Sequence, residues 1–98
     1  MTLFQKRVYE TVKKIPQGKV MTYTQVAKKS GSKRAFRAVG NILNKNKDLN
    51  IPCHRVVRSN GKIGGYNLGQ KKKASLLRKE GFLIKKGRII SLPFQLIS

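Results

Sequence analysis

The chain has 98 residues, with 23 Lys and Arg against 3 acids, a formal net charge of +20 and a hydrophobic fraction of 39%. That length holds one compact domain, residues 1–98, and the apolar content suits a modest core and excludes a disordered tail. A merely solubilising surface mixes both signs of charge, so the cation excess points to a polyanionic partner, nucleic acid ahead of a membrane.

In chain order, Phe4, Val8, Val12 and Ile15 recur at nearly helical spacing with Lys6, Lys13 and Lys14 between them. They predict an amphipathic helix over roughly residues 3–14, ended by Pro16 and Gly18. Thr22-Tyr23-Thr24-Gln25 fits a capping box and opens a second helix that Gly31 terminates. A third helix runs from Lys33 to about Asn44, with Phe36, Val39, Ile42 and Leu43 near one face. Two short helices around a tight Gly-containing turn form a helix-turn-helix candidate. Lys33, Arg34 and Arg37 at the start of the second of them lean it toward phosphate contact.

Lys45 to Gln70 reads as a long irregular stretch, rich in Asn and Gly. Loops of that length are uncommon unless functional or disordered, and this one carries Pro52-Cys53-His54-Arg55-Val56-Val57. A last helix covers about Lys71 to Glu80, with Ala74, Leu76 and Leu77 turned inward and Gly81 closing it. Phe82 to Ile84 and Arg88 to Leu92 alternate around Lys86-Gly87 as a β-hairpin. Its expected task is to cap the core, the alternative being a basic turn that touches a nucleic acid.

No apolar run approaches the ~20 residues needed to span a bilayer. The N-terminus lacks an apolar signal-peptide core, so a cytoplasmic, nucleoid-associated location is expected.

One Cys and one His stand side by side, Cys53-His54. A disulfide within the chain is impossible, and a closed zinc site needs about four ligands, so no metal is expected. The thiolate is the reactive form of cysteine, and a histidine and a positive field lower its pKa. Glu80 falls in the last turn of a helix, where a carboxylate meets the negative end of the dipole. One of only 3 acids placed there suggests a specific partner. His54 is the candidate, giving a relay in which Glu80 orients His54 and His54 activates Cys53.

Pro52-Cys53-His54-Arg55-Val56 strongly resembles the active-site signature of the O6-alkylguanine-DNA alkyltransferases. Flanking pieces resemble the family in order: Thr22-Tyr23, Arg37-Ala38-Val39-Gly40, Asn46, Gly65-Tyr66, and Leu76-Leu77 through Glu80-Gly81. The resemblance covers about residues 4 to 82. It implies a mainly α fold: a winged-helix-like helix-turn-helix domain with an active-site loop and a short C-terminal β-hairpin. It implies repair without a cofactor, by a monomer that binds double-stranded DNA through the minor groove. An O6-alkylguanine is flipped out, and its alkyl group moves irreversibly to Cys53.

Arg37 matches the arginine that fills the gap left by the flipped base. Lys33, Arg34, Phe36, Ala38 and Gly40 belong with it to the DNA-binding surface. In the pocket, Tyr23 would donate to guanine N3, and the carbonyls of Cys53 and Val56 would accept the exocyclic amine. Asn67 would present its backbone N–H to O6, beside Tyr66. Asn46 resembles the residue that braces the active-site turn, one position nearer Cys53 than usual. Phe36 stands where a small residue is usual, either wedging the groove or packing inward. Asn67 replaces a common serine, and the N-terminal domain of larger relatives has no counterpart here. Two rival readings remain: a non-enzymatic alkyltransferase-like damage sensor, which typically carries tryptophan in place of Cys53, and a structural nucleic-acid-binding protein with an inert cysteine.

Overall fold

The computed structural model describes residues 1–90. Its elements in chain order are α1 (Leu3–Lys13), β1 (Met21–Thr22), α2 (Tyr23–Lys29), α3 (Phe36–Asn44), β2 (Val56–Val57), α4 (Gln70–Lys79), β3 (Ile84–Lys85) and β4 (Arg88–Ile89). The fold is mainly helical, with the strands confined to two short pairs.

Local chemistry sets the helix starts. Thr2 caps α1: its hydroxyl accepts from Gln5 N at 3.1 Å, and the Gln5 side chain accepts from Thr2 N at 2.8 Å. Thr22 and Gln25 repeat the device at α2. Such a box satisfies two orphan amides that would otherwise face water alone. Gly31, at φ 108°, closes α2, and Ser32 N reaches back to Ala27 O at 2.9 Å. The third helix begins later than its sequence suggests. Lys33–Ala35 form a 3-10 turn, and α3 proper starts at Phe36. Neither turn nor helix has a side-chain cap, and an uncapped first turn readily tightens this way.

Two apolar clusters build the interior. Val8, Val12, Ile15, Met21, Val26, Val39 and Leu43 pack α1 to α3 together with Cys53 and Val56. Val20, Val57, Ile63, Ala74, Leu77, Phe82, Ile84 and Ile89 form the second, under α4 and the hairpin. The strands β1 and β2 pair in parallel, Met21 with Val56 and Thr22 with Val57. Alternation along a strand sends neighbouring side chains to opposite faces, so Val56 enters the first cluster and Val57 the second. This pairing of segments 35 residues apart in the chain had no sequence signal.

The hairpin pairs Ile84–Lys85 with Arg88–Ile89 and caps the second cluster. Its predicted outer end at Leu92 lies outside the described residues. Leu76, expected to pack inward, is only half-buried. Lys73 takes the inward place, with no exposure at all.

Candidate active site and nucleic-acid interface

Cys53 opens a 3-10 turn, Cys53–Arg55, that runs straight into β2. Its own amide is tied to Ile51 O at 2.8 Å, so the turn is fixed at both ends. The thiol is buried and faces a cavity of about 280 Å³, lined also by His54, Tyr66, Asn67 and Leu76. The Asn46 side-chain amide donates to Cys53 Sγ at 3.2 Å and to Asp48 O at 3.0 Å, while its oxygen accepts from Asp48 N. Asn46 therefore ties the loop after α3 to the sulfur itself. Asn67 donates its side-chain amide to Asn46 O, closing the cavity wall.

Beside Cys53 in the chain begins a part-buried polar cluster. His54 Nε2 stands 2.9 Å from Glu80 Oε2. Arg55 holds the same carboxylate with two nitrogens, at 2.9 and 2.7 Å, and donates to Ile15 O at 2.7 Å. Glu80 is the C-cap of α4 rather than a residue inside its last turn. Burial raises its pKa, but the bonds from Arg55 and His54 outweigh that, and the carboxyl stays below its usual range. Desolvation lowers the pKa of His54 despite the neighbouring carboxylate, so the imidazole is neutral at neutral pH.

The thiol behaves differently from the expectation of a lowered pKa. Burial pushes Cys53 above the ordinary thiol value, and the bond from Asn46 and the charge of Lys73 only partly oppose it. The net charge of the chain does not reach a group sealed from it; only nearby charges count at low dielectric. The sulfur's hydrogen-bond partner is Asn46, and that of the imidazole is Glu80. Cys53 and His54 are thus neighbours without a direct thiol–imidazole bond.

Lys73 was not anticipated. Its ammonium donates to Val56 O at 2.6 Å, Gly65 O at 3.0 Å and the Tyr23 hydroxyl at 3.3 Å, and lies 5.5 Å from the centre of the Tyr23 ring. Desolvation brings its pKa down to about 7, with Cys53 opposing. The Val56 carbonyl therefore already carries one hydrogen bond from the ammonium. Tyr23 sits between α3 and the 64–65 segment. A Cβ on Gly64 would stand 2.9 Å from the Tyr23 hydroxyl, at φ 78°, whereas one on Gly40 would make ordinary contact at 3.8 Å. Gly64 is required; Gly40 is merely small.

A second groove, of about 470 Å³, opens over Tyr23 and is bounded by Phe36 and Arg37 of α3 and by Arg58, Ser59 and Asn60 of the loop after β2. Phe36 is 43% exposed, so it does not pack inward, and Arg37 lies 5.9 Å over its ring. Lys33, Arg34, Arg37 and Ala38 are exposed on the same end of the helix pair, while Gly40 is half-buried against Tyr23. The structure brings Cys53, His54, Asn46, Tyr66 and Asn67 to one cavity, and Glu80 joins them through its bond to His54. It links Tyr23 to that group through Lys73 and Val56.

Sequence reasoning missed Arg55, Arg58 and Lys73 as site residues. A signal existed for Lys73: it stands four positions before Leu77, hence on the same helix face. Among the described residues, no group of three or more His, Cys, Asp or Glu could hold a metal ion, and no helix is long and apolar enough to cross a membrane.

Comparison with known proteins adds an independent line. Residues 3–82 match the family described as 6-O-methylguanine DNA methyltransferase, DNA binding domain. A methylated-DNA–protein-cysteine methyltransferase of Methanosarcina acetivorans is 46% identical over 81 residues, covering 82% of this chain and 52% of the relative. The chain spans about half the length of such relatives. Among solved structures, Schizosaccharomyces pombe Atl1, in complex with damaged DNA containing O6-carboxymethylguanine, matches with a TM-score of 0.87 and 30% identity, over 100% of this chain and 97% of that one. Mycobacterium tuberculosis OGT in complex with DNA matches with a TM-score of 0.77 and 38% identity, over 82% of this chain and 49% of that one.

Proposed function

Because this chain belongs to the 6-O-methylguanine DNA methyltransferase family, we propose that it repairs O6-alkylguanine in DNA by moving the alkyl group once and irreversibly onto Cys53. One observation carries the reading: a lone thiol lines a cavity and is braced by Asn46, next to a histidine already oriented by a carboxylate. This sets a nucleophilic atom and a base side by side at one cavity, to be coupled through a bound water or substrate.

The DNA would lie on the face that carries α3, with α3 in the minor groove and Arg37 in the gap left by the extruded base. Extrusion costs a few kcal/mol, less for a base whose pairing is already damaged. The flipped guanine enters the cavity beside Tyr66 and Asn67. The carbonyls of Val56 and Cys53 accept its exocyclic amine. His54, held by Glu80, takes the thiol proton through one water. Sulfur attacks the alkyl carbon in line, the carbon–O6 bond breaks, and its electron pair goes to the purine. Tyr23 supplies the proton that lets guanine leave neutral, and Lys73, 3.3 Å from the phenol oxygen, returns it. A lysine with a pKa of about 7 matches a neutral-pH proton donor. The resulting thioether has no easy reverse path, so the protein acts once, as a monomer, beside the nucleoid DNA of the cytoplasm.

A second reading is lesion binding without transfer. It is favoured by the near full-length likeness to Atl1 bound to damaged DNA. Intact-protein mass after incubation with a duplex carrying one O6-methylguanine separates the two. A gain of one methylene, absent in Cys53→Ser, is expected; tight lesion binding with no gain would replace the transferase reading by the sensor one.

A further inference from the structure

The groove over Tyr23 does not end at the active site. Arg58 and Gly65 line it and also line an adjoining hollow of about 360 Å³, whose other walls include Lys62 and Lys86. Arg58, Lys62 and Lys86 are all exposed. The surface that bears them is fixed: Ile63 N donates to Gly87 O and Ile89 N to Gly61 O, both at 2.9 Å, and the Arg88 guanidinium donates to Asn60 O at 2.6 Å. The 58–63 loop and the C-terminal hairpin therefore form one hydrogen-bonded unit. Lys86 is the one non-glycine with positive φ among the described residues, at 52°, in a two-residue hairpin turn with Gly87. Asparagine or glycine suits that position and lysine does not, and a side chain held against backbone preference is a pointer to use.

No acidic side chain of the described residues neutralises this track. Glu80 is taken by His54 and Arg55, Asp48 lines the cysteine cavity, and Glu10 lines a separate cleft with Arg7 and Lys14. Tyr23 stands between it and α3, its ring near Gly40 on one side and Gly64 on the other.

We propose that Arg58, Lys62 and Lys86 form a second phosphate-binding track that grips duplex DNA flanking the lesion, beyond Tyr23 from α3. The inference rests on the DNA-repair reading above and extends it: two separate cationic surfaces hold the duplex on either side of the flipped base, so the extruded nucleotide is braced at both flanking phosphates. The hairpin thus serves the core with one face and the DNA with its turn.

The test is the salt dependence of binding to a duplex with one O6-methylguanine, using the full chain and the double variant Lys62→Gln, Lys86→Asn. Asparagine fits the turn, so the variant folds at least as well. Its thermal midpoint should not fall, and its Cys53 should react with iodoacetamide at the wild-type rate. Losing two phosphate contacts should flatten the slope of log affinity against log salt by about 2, so that wild type loses roughly tenfold more affinity than the variant between 50 and 200 mM. An unchanged slope in a variant that still binds would overturn the track and leave the transferase reading standing. A wild-type protein with no salt-dependent duplex binding would overturn both.

Discussion

The chain uses its cations in two opposite ways. Arg37 and Arg58 lie exposed around an open groove. Arg55 and Lys73 lie inside, and their polar atoms are bonded to a carboxylate, three carbonyls and a phenol. In water a charge interacts weakly and can be removed at little cost; in the interior its desolvation must be offset by every bond it makes. The exposed set therefore governs affinity for a partner, and the buried set governs whether the pocket exists.

That contrast can be broken most severely at Glu80. Glu80→Ala leaves the part-buried Arg55 and His54 without their carboxylate and should destabilise the fold by about 2–3 kcal/mol. Denaturant unfolding with unchanged midpoint would show that Arg55 is held by Ile15 O alone. The milder Glu80→Gln keeps the shape and should slow Cys53 alkylation while leaving duplex binding near normal.

Lys73 sharpens the comparison through pH. Its folded pKa of about 7 lies below the usual 10.5, so between those values the unfolded chain binds more protons and stability rises with pH. Below about pH 7 the penalty is complete. Wild type should gain up to about 1.4 kcal/mol per pH unit above neutrality from this group. Above the usual thiol value of 9.0 the raised pKa of Cys53 opposes the gain, because the unfolded thiol ionises first. Lys73→Met should abolish the rise between pH 7 and 9. A parallel stability profile in both proteins would mean that Lys73 is hydrated in solution.

The smallest structural effect belongs to Arg37. Arg37→Ala should alter stability by less than about 0.5 kcal/mol. It should still slow repair in duplex DNA more than in single strands, since only the duplex leaves a gap to fill. Equal slowing in both substrates would remove that role.

The helices were legible because their signals are local. The Thr22–Gln25 box, the spacing of Val8 and Val12 and the glycine at 31 each act within one or two turns of chain. The Lys86-Gly87 turn was legible for the same reason. Within the site, Cys53, His54 and Glu80 were read from a motif and from one acid in an unfavourable place. Three adjacent lysines, 71 to 73, look alike in sequence, yet only Lys73 is buried, because the helical turn sets it on the face of Ala74 and Leu77.

By itself the sequence determined the family resemblance, the helical order and the presence of one nucleophile beside one base, since each is written in neighbouring residues. Only the tertiary structure decided which charges are sealed from water. It takes a parallel contact between residues 21 and 56 to bring Tyr23 and Val56 to the same lysine. Burial then reverses the simplest electrostatic expectation: a chain of net charge +20 holds its thiol above, not below, the ordinary pKa, because a largely buried sulfur responds to desolvation first and to distant charge hardly at all.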